Sequence, residues 1–378
     1  MKVLITGAGG FLGKNLQLHL AERKAVEVVC FTRAHSVTQL PAMLNGVDFI
    51  FHLAGINRPQ DPAEFLSGNV DLTHALCQAV AAIHLTTGKK VPVIFTSSTQ
   101  TDHDNAYGDS KVKAESALFA MQRAHGVPVN VFRLPNVFGK WCKPNYNSVV
   151  ATFCYNIARG LPIKVNDPEA SVTLVYVDDL VGRFVQLMDG ADASVGEGVF
   201  ATVAPQYTTT VGELAKKLQG FKNSRDTLMT ERVGTGLMRA LYATYVSYLP
   251  VELFAYTVPQ HADPRGVFVE MLKTPDCGQF SYFTAHPGTT RGGHYHHSKT
   301  EKFLVIKGQA RFKFRHMQTG QSHELATTGD KPEVVETVPG WTHDITNIGP
   351  DEMVVMLWAN EVFDRSKPDT YVCPLKGK

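Results

Sequence analysis

The chain predicts two domains of different class: an α/β domain built on a doubly wound parallel sheet, followed by an all-β barrel or sandwich. Three observations carry this. At 378 residues the chain exceeds what one hydrophobic core usually organises. From Met1 to about Asp189, short β-branched runs alternate with helix-period stretches, the rhythm of βαβ units with helices on both sheet faces. After Pro250 the texture changes to short alternating strands broken by Gly, Pro and Asn, as in antiparallel barrels and sandwiches. The division is expected at residue 250, giving domains 1–250 and 251–378.

Along the first domain, residues 2–6, 26–32, 49–53, 93–97 and 129–133 read as strands. A glycine-rich turn, Gly7-Ala-Gly-Gly10-Phe11-Leu12-Gly13, joins the first strand to a helix expected from about Lys14. Residues 205–250 carry a helical pattern in which Leu237, Met238, Leu241, Tyr242, Tyr245 and Tyr248 make a core or docking face, taken as the seam between domains. In the second domain the clearest strands are 279–284, 302–306, 310–315 and 353–358.

Composition narrows the function classes. Apolar content of 44% and charged content of 19% are those of an ordinary globular protein. A net charge of +2 without a basic run leaves no electrostatic footprint for nucleic acid or an anionic membrane, so neither partner is expected. Neither a signal-peptide pattern nor a bilayer-length apolar run is seen, and a cytoplasmic location is expected. The six cysteines include no Cys-x-x-Cys, so neither a disulfide framework nor a thiolate metal site is indicated.

The glycine turn sits between strand and helix, where backbone must approach a pyrophosphate and helix N-terminal amides favour the anion; Gly7, Gly10, Phe11, Leu12 and Gly13 are therefore candidate cofactor contacts. At the end of the second strand, where an acidic residue would bind the ribose of NAD, stands Arg33; a cation there suits a 2′-phosphate, hence NADP(H). Tyr107 and Lys111 lie one helical turn apart on one face. A free phenol has a pKa of about 10, and a neighbouring ammonium lowers it toward useful proton exchange. Ser97-Ser98, at the end of the strand before, offers a hydroxyl pair to a carbonyl oxygen.

These residues, with His52-Leu53-Ala54-Gly55, Arg133-Leu-Pro-Asn136-Val-Phe-Gly139 and Tyr176-Val-Asp-Asp179, resemble the extended short-chain dehydrogenase/reductase family over about residues 1–245. The resemblance implies a Rossmann-type fold in which Ser98 orients the carbonyl, Tyr107 exchanges the proton, and Lys111 tunes Tyr107 and holds the nicotinamide ribose. It further implies cofactor contacts at Leu53, Ala54, Gly55 and Asn136. The loop 140–148, with Asn145 and Asn147, lies where the family contacts a sugar nucleotide. Two departures matter: only eight residues separate Ser98 from Tyr107, which trims the loop there, and Thr99-Gln100 replace the Asp-Glu pair of dehydratases. Without that acid to eliminate water, simple reduction is the better reading.

The C-terminal half carries Gly288, then His294-Tyr-His296, Glu301 and Gly308, with Pro339-Gly340-Trp-Thr-His343 further on. This spacing resembles both motifs of the cupin family in order, and the resemblance implies a jelly-roll barrel. Residues two apart on a strand face the same way, so His294 and His296 point together while His297 faces oppositely. With Glu301 and His343 they make a three-nitrogen, one-oxygen set suited to a divalent metal, zinc above all, with an open position. The segment Asp263-Pro-Arg265-Gly-Val-Phe-Val-Glu270 resembles the opening of sugar-nucleotide epimerase cupins, many of them metal-free, and makes Arg265 a candidate substrate contact.

Taken together, the two halves resemble a bacterial family of bifunctional capsular polysaccharide-synthesising enzymes across essentially the whole chain. That resemblance implies a UDP-linked 2-acetamido-2,6-dideoxy-4-hexulose substrate, epimerised at C3 by the metal cupin and then reduced with NADPH to UDP-2-acetamido-2,6-dideoxy-L-talose, on the route to N-acetyl-L-fucosamine of capsule or O-antigen. The chemistry dictates this order, because only a 4-keto sugar has an acidified C3 proton. A homodimer through the cupin is expected. Lys302, Tyr295, His286 and a residue of a partner subunit are alternatives for the C3 base. Two other readings fit the residues: a rhamnose-type reductase fused to a metal-free epimerase, and a reductase whose barrel is a structural or sugar-binding dimer module.

Overall fold

The computed structural model of the chain describes all residues except 62, 192–199, 260, 264–265, 269–270, 273, 275–277, 362–365 and 376–378, with the side chains of 261–263, 266–268 and 279 also outside the description. Strands β1 (Lys2–Thr6), β2 (Glu27–Phe31), β3 (Phe49–His52), β4 (Val93–Ser98) and β5 (Val129–Leu134) form one sheet in the order β2-β1-β3-β4-β5. Every pairing is parallel, and each strand lies within a residue of its expected bounds. β3 is buried at every position and β4 at all but its last, because helices cover both faces of a parallel sheet.

The helices are α1 (Phe11–Ala21), α2 (Leu40–Met43), α3 (Leu72–Thr87), α4 (Ala106–His125), α5 (Val149–Ala158), α6 (Val177–Met188), α7 (Val211–Thr227) and α8 (Gly236–Ser247). α1 packs on α6, while α3 packs on α2 and α4. Leu4, Ile50, Phe95, Leu118 and Val131 centre a continuous apolar core between sheet and helices. The first helix opens at Phe11 rather than Lys14, because Gly10 holds the extended conformation of an N-cap.

Later strands are β6 (Asn136–Phe138), β7 (Ser171–Tyr176) and β8 (Tyr207–Thr210), which form a small sheet, then β9 (Ala255–Thr257), β10 (His261–Asp263), β11 (Gly266–Phe268), β12 (Gln279–Ala285), β13 (Thr290–Tyr295), β14 (Glu301–Lys307), β15 (Gln309–His316), β16 (Ser322–Thr328), β17 (Glu333–Glu336), β18 (Trp341–Asn347), β19 (Met353–Ala359) and β20 (Tyr371–Val372). Two five-stranded antiparallel sheets result, β12-β19-β14-β17-β9 and β16-β15-β18-β13-β20. Between them Phe303 meets Phe312 edge-on with ring centroids 5.7 Å apart. The expected barrel is thus present, and the strands read from 279–284, 302–306, 310–315 and 353–358 lie inside β12, β14, β15 and β19.

Contacts divide the chain into two compact units, Met1–Val137 with Thr173–Thr208, and Phe138–Val172 with Thr209–Lys378. The unit that holds the barrel thus also includes α5, α7 and α8. The reason is the second face of the barrel sheet. Alternation along β14 sends Glu301 and Phe303 inward and Lys302 outward, and the outer surface is polar and buried. Glu336 of β17 pairs there with both Lys302 and Arg225 of α7, with Tyr242 of α8 3.5 Å away. Phe221, Tyr242 and Tyr245 pack among themselves beside it, so the aromatic stripe read from sequence is core.

Burial alone would raise the Glu336 carboxyl, but Arg225 and Lys302 hold it below the ordinary carboxylate range. Replacing Glu336 by Gln leaves two buried cations facing an amide. Loss of a partner in such a pair costs about 3–5 kcal/mol, and the urea midpoint of Glu336→Gln is expected to fall accordingly. A midpoint within experimental error of the wild type would show that the cluster contributes nothing.

Candidate active sites

In the first unit, β1 ends in a turn whose glycines are required by close approach. Gly7 has φ of 68°, and a Cβ there would lie 2.7 Å from the Ala54 backbone; one on Gly13 would lie 2.4 Å from the Gly7 carbonyl oxygen. The turn Leu53-Ala54-Gly55 is thereby brought against the glycine loop. Gly9 faces open space, and α1 has no acidic residue in its first turn, so its N-terminal amides remain available to an anion. Arg33 is exposed just beyond the end of β2, in a turn where His35 accepts the Thr32 N–H at 3.1 Å. Asn136 is exposed on β6 and donates to the Thr173 carbonyl at 3.4 Å.

The Ser98–Tyr107–Lys111 set is assembled by β4 and α4. Asn105 caps α4, accepting the Gly108 N–H at 2.8 Å, which sets Tyr107 and Lys111 on the first two turns. Tyr107 is hydrogen-bonded to Ser98; burial raises its phenol above the ordinary range and the Ser98 bond partly offsets this. Lys111 is buried, donates to the Thr96 carbonyl at 3.0 Å, and its Nζ lies 6.0 Å from the Tyr107 ring centroid. Burial pushes its ammonium down to about 8, against the pull of Glu115. The two serines divide their roles: Ser97 donates to Glu115, itself paired with Arg133 at 2.8 Å, so Ser98 alone faces the phenol.

Sequence reading missed the scaffold behind this set. His52 is buried between Thr6 Oγ1 at 2.6 Å and Thr73 Oγ1 at 2.8 Å, and burial pushes it down to about 3, so it is neutral. Asn69 accepts the Ile56 N–H at 2.7 Å and donates to the Ile56 carbonyl and Ser110 Oγ, both at 2.9 Å. It thereby ties the turn after Gly55 to α4. A single buried Asn on a helical stretch carries no motif that would have flagged it.

The second unit gathers the other predicted set. His294, His296, Glu301 and His343 each offer a ligand atom, all within 4.8 Å of one another. His294 stands opposite His343 in the β13–β18 ladder, beyond a bulge after Gly292, with rings 4.8 Å apart. His296 Nε2 lies 3.1 Å from Glu301 Oε2, and His343 Nε2 lies 3.6 Å from it. His343 is buried and its Nε2, 3.6 Å from Glu301, makes no hydrogen bond within 3.5 Å among the described residues, a nitrogen that a divalent ion would take up. Burial first, then the neighbouring imidazoles, push His294 down to about 3; despite burial, His296 and His343 hold Glu301 well below the carboxylate range. Metal binding needs neutral imidazole and ionised carboxylate ligands, and the directions at His294, His343 and Glu301 run that way. His297 points away, its ring against Tyr295 and Tyr371.

Other predicted residues fall elsewhere. The loop holding Asn145 and Asn147 belongs to the barrel's unit: Trp141, with φ of 68°, donates to His316 Nε2 at 3.0 Å and stacks where a Cβ on Gly340 would come within 2.7 Å of it. Asn145 and Asn147 are exposed. Arg265 lies outside the described residues. Among the proposed bases, Lys302 is spent on Glu336 on the outer face, Tyr295 is buried against Tyr371, and His286 is exposed beyond β12. No helix of the described residues is long and apolar enough to cross a membrane.

A doubly wound parallel sheet with a glycine turn and a Ser–Tyr–Lys set defines an NAD(P)-dependent dehydrogenase/reductase fold. The chain belongs to the NAD dependent epimerase/dehydratase family, which its residues 3–201 match, while residues 261–371 match the polysaccharide biosynthesis C-terminal domain. Over 373 residues it is 62% identical to a UDP-2-acetamido-2,6-beta-L-arabino-hexul-4-ose reductase of Pseudomonas aeruginosa, covering 99% of this chain and 98% of that protein. The crystal structure of the capsular polysaccharide assembling protein CapF from Staphylococcus aureus is 40% identical with a TM-score of 0.66, covering 99% of this chain and all of that one. The resemblance to capsule-building enzymes read from the motifs is therefore borne out over the whole chain. A UDP-glucuronic acid 4-epimerase from Bacillus cereus in complex with NAD, 18% identical with a TM-score of 0.52 over 59% of this chain and 85% of that one, shares the fold.

Proposed function

We propose that the chain is a bifunctional UDP-sugar enzyme that epimerises UDP-2-acetamido-2,6-dideoxy-4-hexulose at C3 in its barrel and reduces the product at C4 with NADPH, forming UDP-2-acetamido-2,6-dideoxy-L-talose for capsule or O-antigen. The observation that carries the reading is the coexistence of two catalytic sets in one chain, Ser98–Tyr107–Lys111 and His294–His296–Glu301–His343. The name of the 62% identical relative, a 4-ketose reductase, supports the reduction and the UDP-sugar class.

For the first step the three imidazoles and Glu301 would hold a divalent ion, zinc by preference. Such an ion supplies a Lewis acid that polarises the C4 carbonyl and acidifies the C3 proton. In the second, Ser98 holds the carbonyl oxygen, Tyr107 delivers its proton to that oxygen as hydride from the cofactor reaches C4, and Lys111 stabilises the phenolate left behind. Asn145, Asn147 and Arg265 are proposed to hold the sugar nucleotide, and residues 1–250 and 251–378 to be the reductase and epimerase domains. We place the enzyme in the cytoplasm as a homodimer through the barrel, whose edge strand β12 exposes Phe280 and Tyr282.

The test is incubation with the 4-keto sugar nucleotide in deuterated water. Deuterium at C3 without NADPH, and an L-talo product only with it, is expected; a product carrying no solvent label at C3 would reject the epimerase half. Cofactor choice is tested separately. A charged hydrogen bond is worth about 1.5–3 kcal/mol, so Arg33→Ala should raise the KM for NADPH by about 10–100-fold and leave that for NADH unchanged. Equal KM changes for both would remove Arg33 from phosphate recognition.

A further inference from the structure

We infer that Asp369 is a positioning residue for the barrel's metal ligands, acting through His296 and the backbone that follows it. The inference rests on the metal reading above. His296 Nδ1 lies 2.6 Å from the Asp369 carbonyl oxygen. A carbonyl can only accept, so Nδ1 donates to it, which fixes the ring and leaves Nε2, 3.1 Å from Glu301 Oε2, as the nitrogen that would ligate an ion.

The carbonyl is aimed by the same residue's side chain. The Asp369 carboxylate accepts the backbone N–H groups of His297 at 2.9 Å, Ser298 at 2.9 Å and Lys299 at 2.7 Å, and the Ser298 hydroxyl at 3.0 Å. Successive amides converging on one carboxylate make an anion nest. It locks the segment directly after His296 to a residue about seventy positions later. Lys299 closes the clasp from the other side, its Nζ donating to the Pro368 carbonyl at 3.2 Å and to Thr370 Oγ1 at 2.7 Å. Asp369 has φ of 38°, a left-handed conformation that Asp and Asn tolerate better than other side chains. β20, just beyond it, pairs with His294 and Tyr295, so one C-terminal strap holds both the end of the strand that carries His294 and the segment after it that carries His296. The carboxylate's hydrogen bonds come from three backbone N–H groups and the Ser298 hydroxyl, a role separate from coordination.

The experiment compares wild type, Asp369→Ala and Asp369→Asn for Zn²⁺ affinity by chelator competition, for the visible spectrum of the Co²⁺-loaded proteins, and for thermal unfolding of the metal-free proteins. Loss of a group that orients a ligating histidine typically weakens metal binding by about 10–100-fold, expected for Asp369→Ala together with an altered Co²⁺ spectrum. Asp369→Asn, which keeps one amide-accepting oxygen and tolerates the backbone, is expected to lose several-fold. It also carries the test if the alanine variant does not fold. Folded variants with wild-type Zn²⁺ affinity and Co²⁺ spectrum would overturn the inference whatever their melting temperature. A wild-type protein binding neither ion would overturn the metal reading and this inference with it.

Discussion

Tyr107→Phe is expected to slow NADPH oxidation by the UDP-4-keto sugar by about 10²–10⁴-fold, the usual contribution of a positioned proton donor, while C3 deuterium exchange continues at the wild-type rate. Burial keeps the phenol protonated and the Ser98 hydroxyl is bonded to it, so the side chain is poised to give a proton rather than take one, as reduction of a ketone requires. The Phe ring retains the packing of Tyr107 against Phe65, whose centroid is 5.9 Å away, so the loss should fall on kcat with KM for NADPH unchanged. Stopped-flow absorbance of the nicotinamide and mass spectrometry of the sugar read the two steps separately. Unimpaired NADPH oxidation in this variant would remove Tyr107 from the chemistry.

His294→Ala is expected to have the complementary effect, as is stripping the wild type with a chelator. With one of three nitrogens gone, only two imidazoles and Glu301 would hold the ion, and its affinity is expected to fall enough to leave the variant metal-free at ordinary Zn²⁺ concentrations. Carbonyl polarisation by an ion is worth several kcal/mol, so C3 exchange should fall by about 10³-fold or more, and return on adding Zn²⁺ to the stripped wild type but not to the variant. NADPH affinity should be unchanged, because the glycine loop belongs to the other unit. Exchange at the wild-type rate in folded, metal-free protein would reject the catalytic barrel and favour a metal-free epimerase.

Local regularity made much of this legible. The five parallel strands were readable because fully buried strands are short β-branched runs bounded by turns, and the glycine turn because tight geometry admits few residues. The His–Glu cluster was readable because strand alternation puts His294 and His296 on one face and His297 on the other. Less legible was anything settled by one residue meeting another far along the chain. The helices α7 and α8 read as an aromatic seam, but Arg225 reaches Glu336 across 111 positions, and that buried charge pairing draws them to the barrel. Lys302, one of several alternatives for the base, lies on the opposite face of β14 as an ion-pair partner of Glu336.

By itself the sequence determined the two fold classes, the glycine loop, the Tyr–Lys pair and the four residues of the His–Glu cluster, since each is written in spacing set by the helical or strand repeat. Only the tertiary structure decided which residues hold those groups in place: Asn69 and His52 behind the reductase set, Asp369 behind His296, and Glu336 beneath the barrel. The physical reason is that a buried polar group must find a partner wherever the fold supplies one. That partner is fixed by three-dimensional proximity, which leaves no periodic trace in the chain.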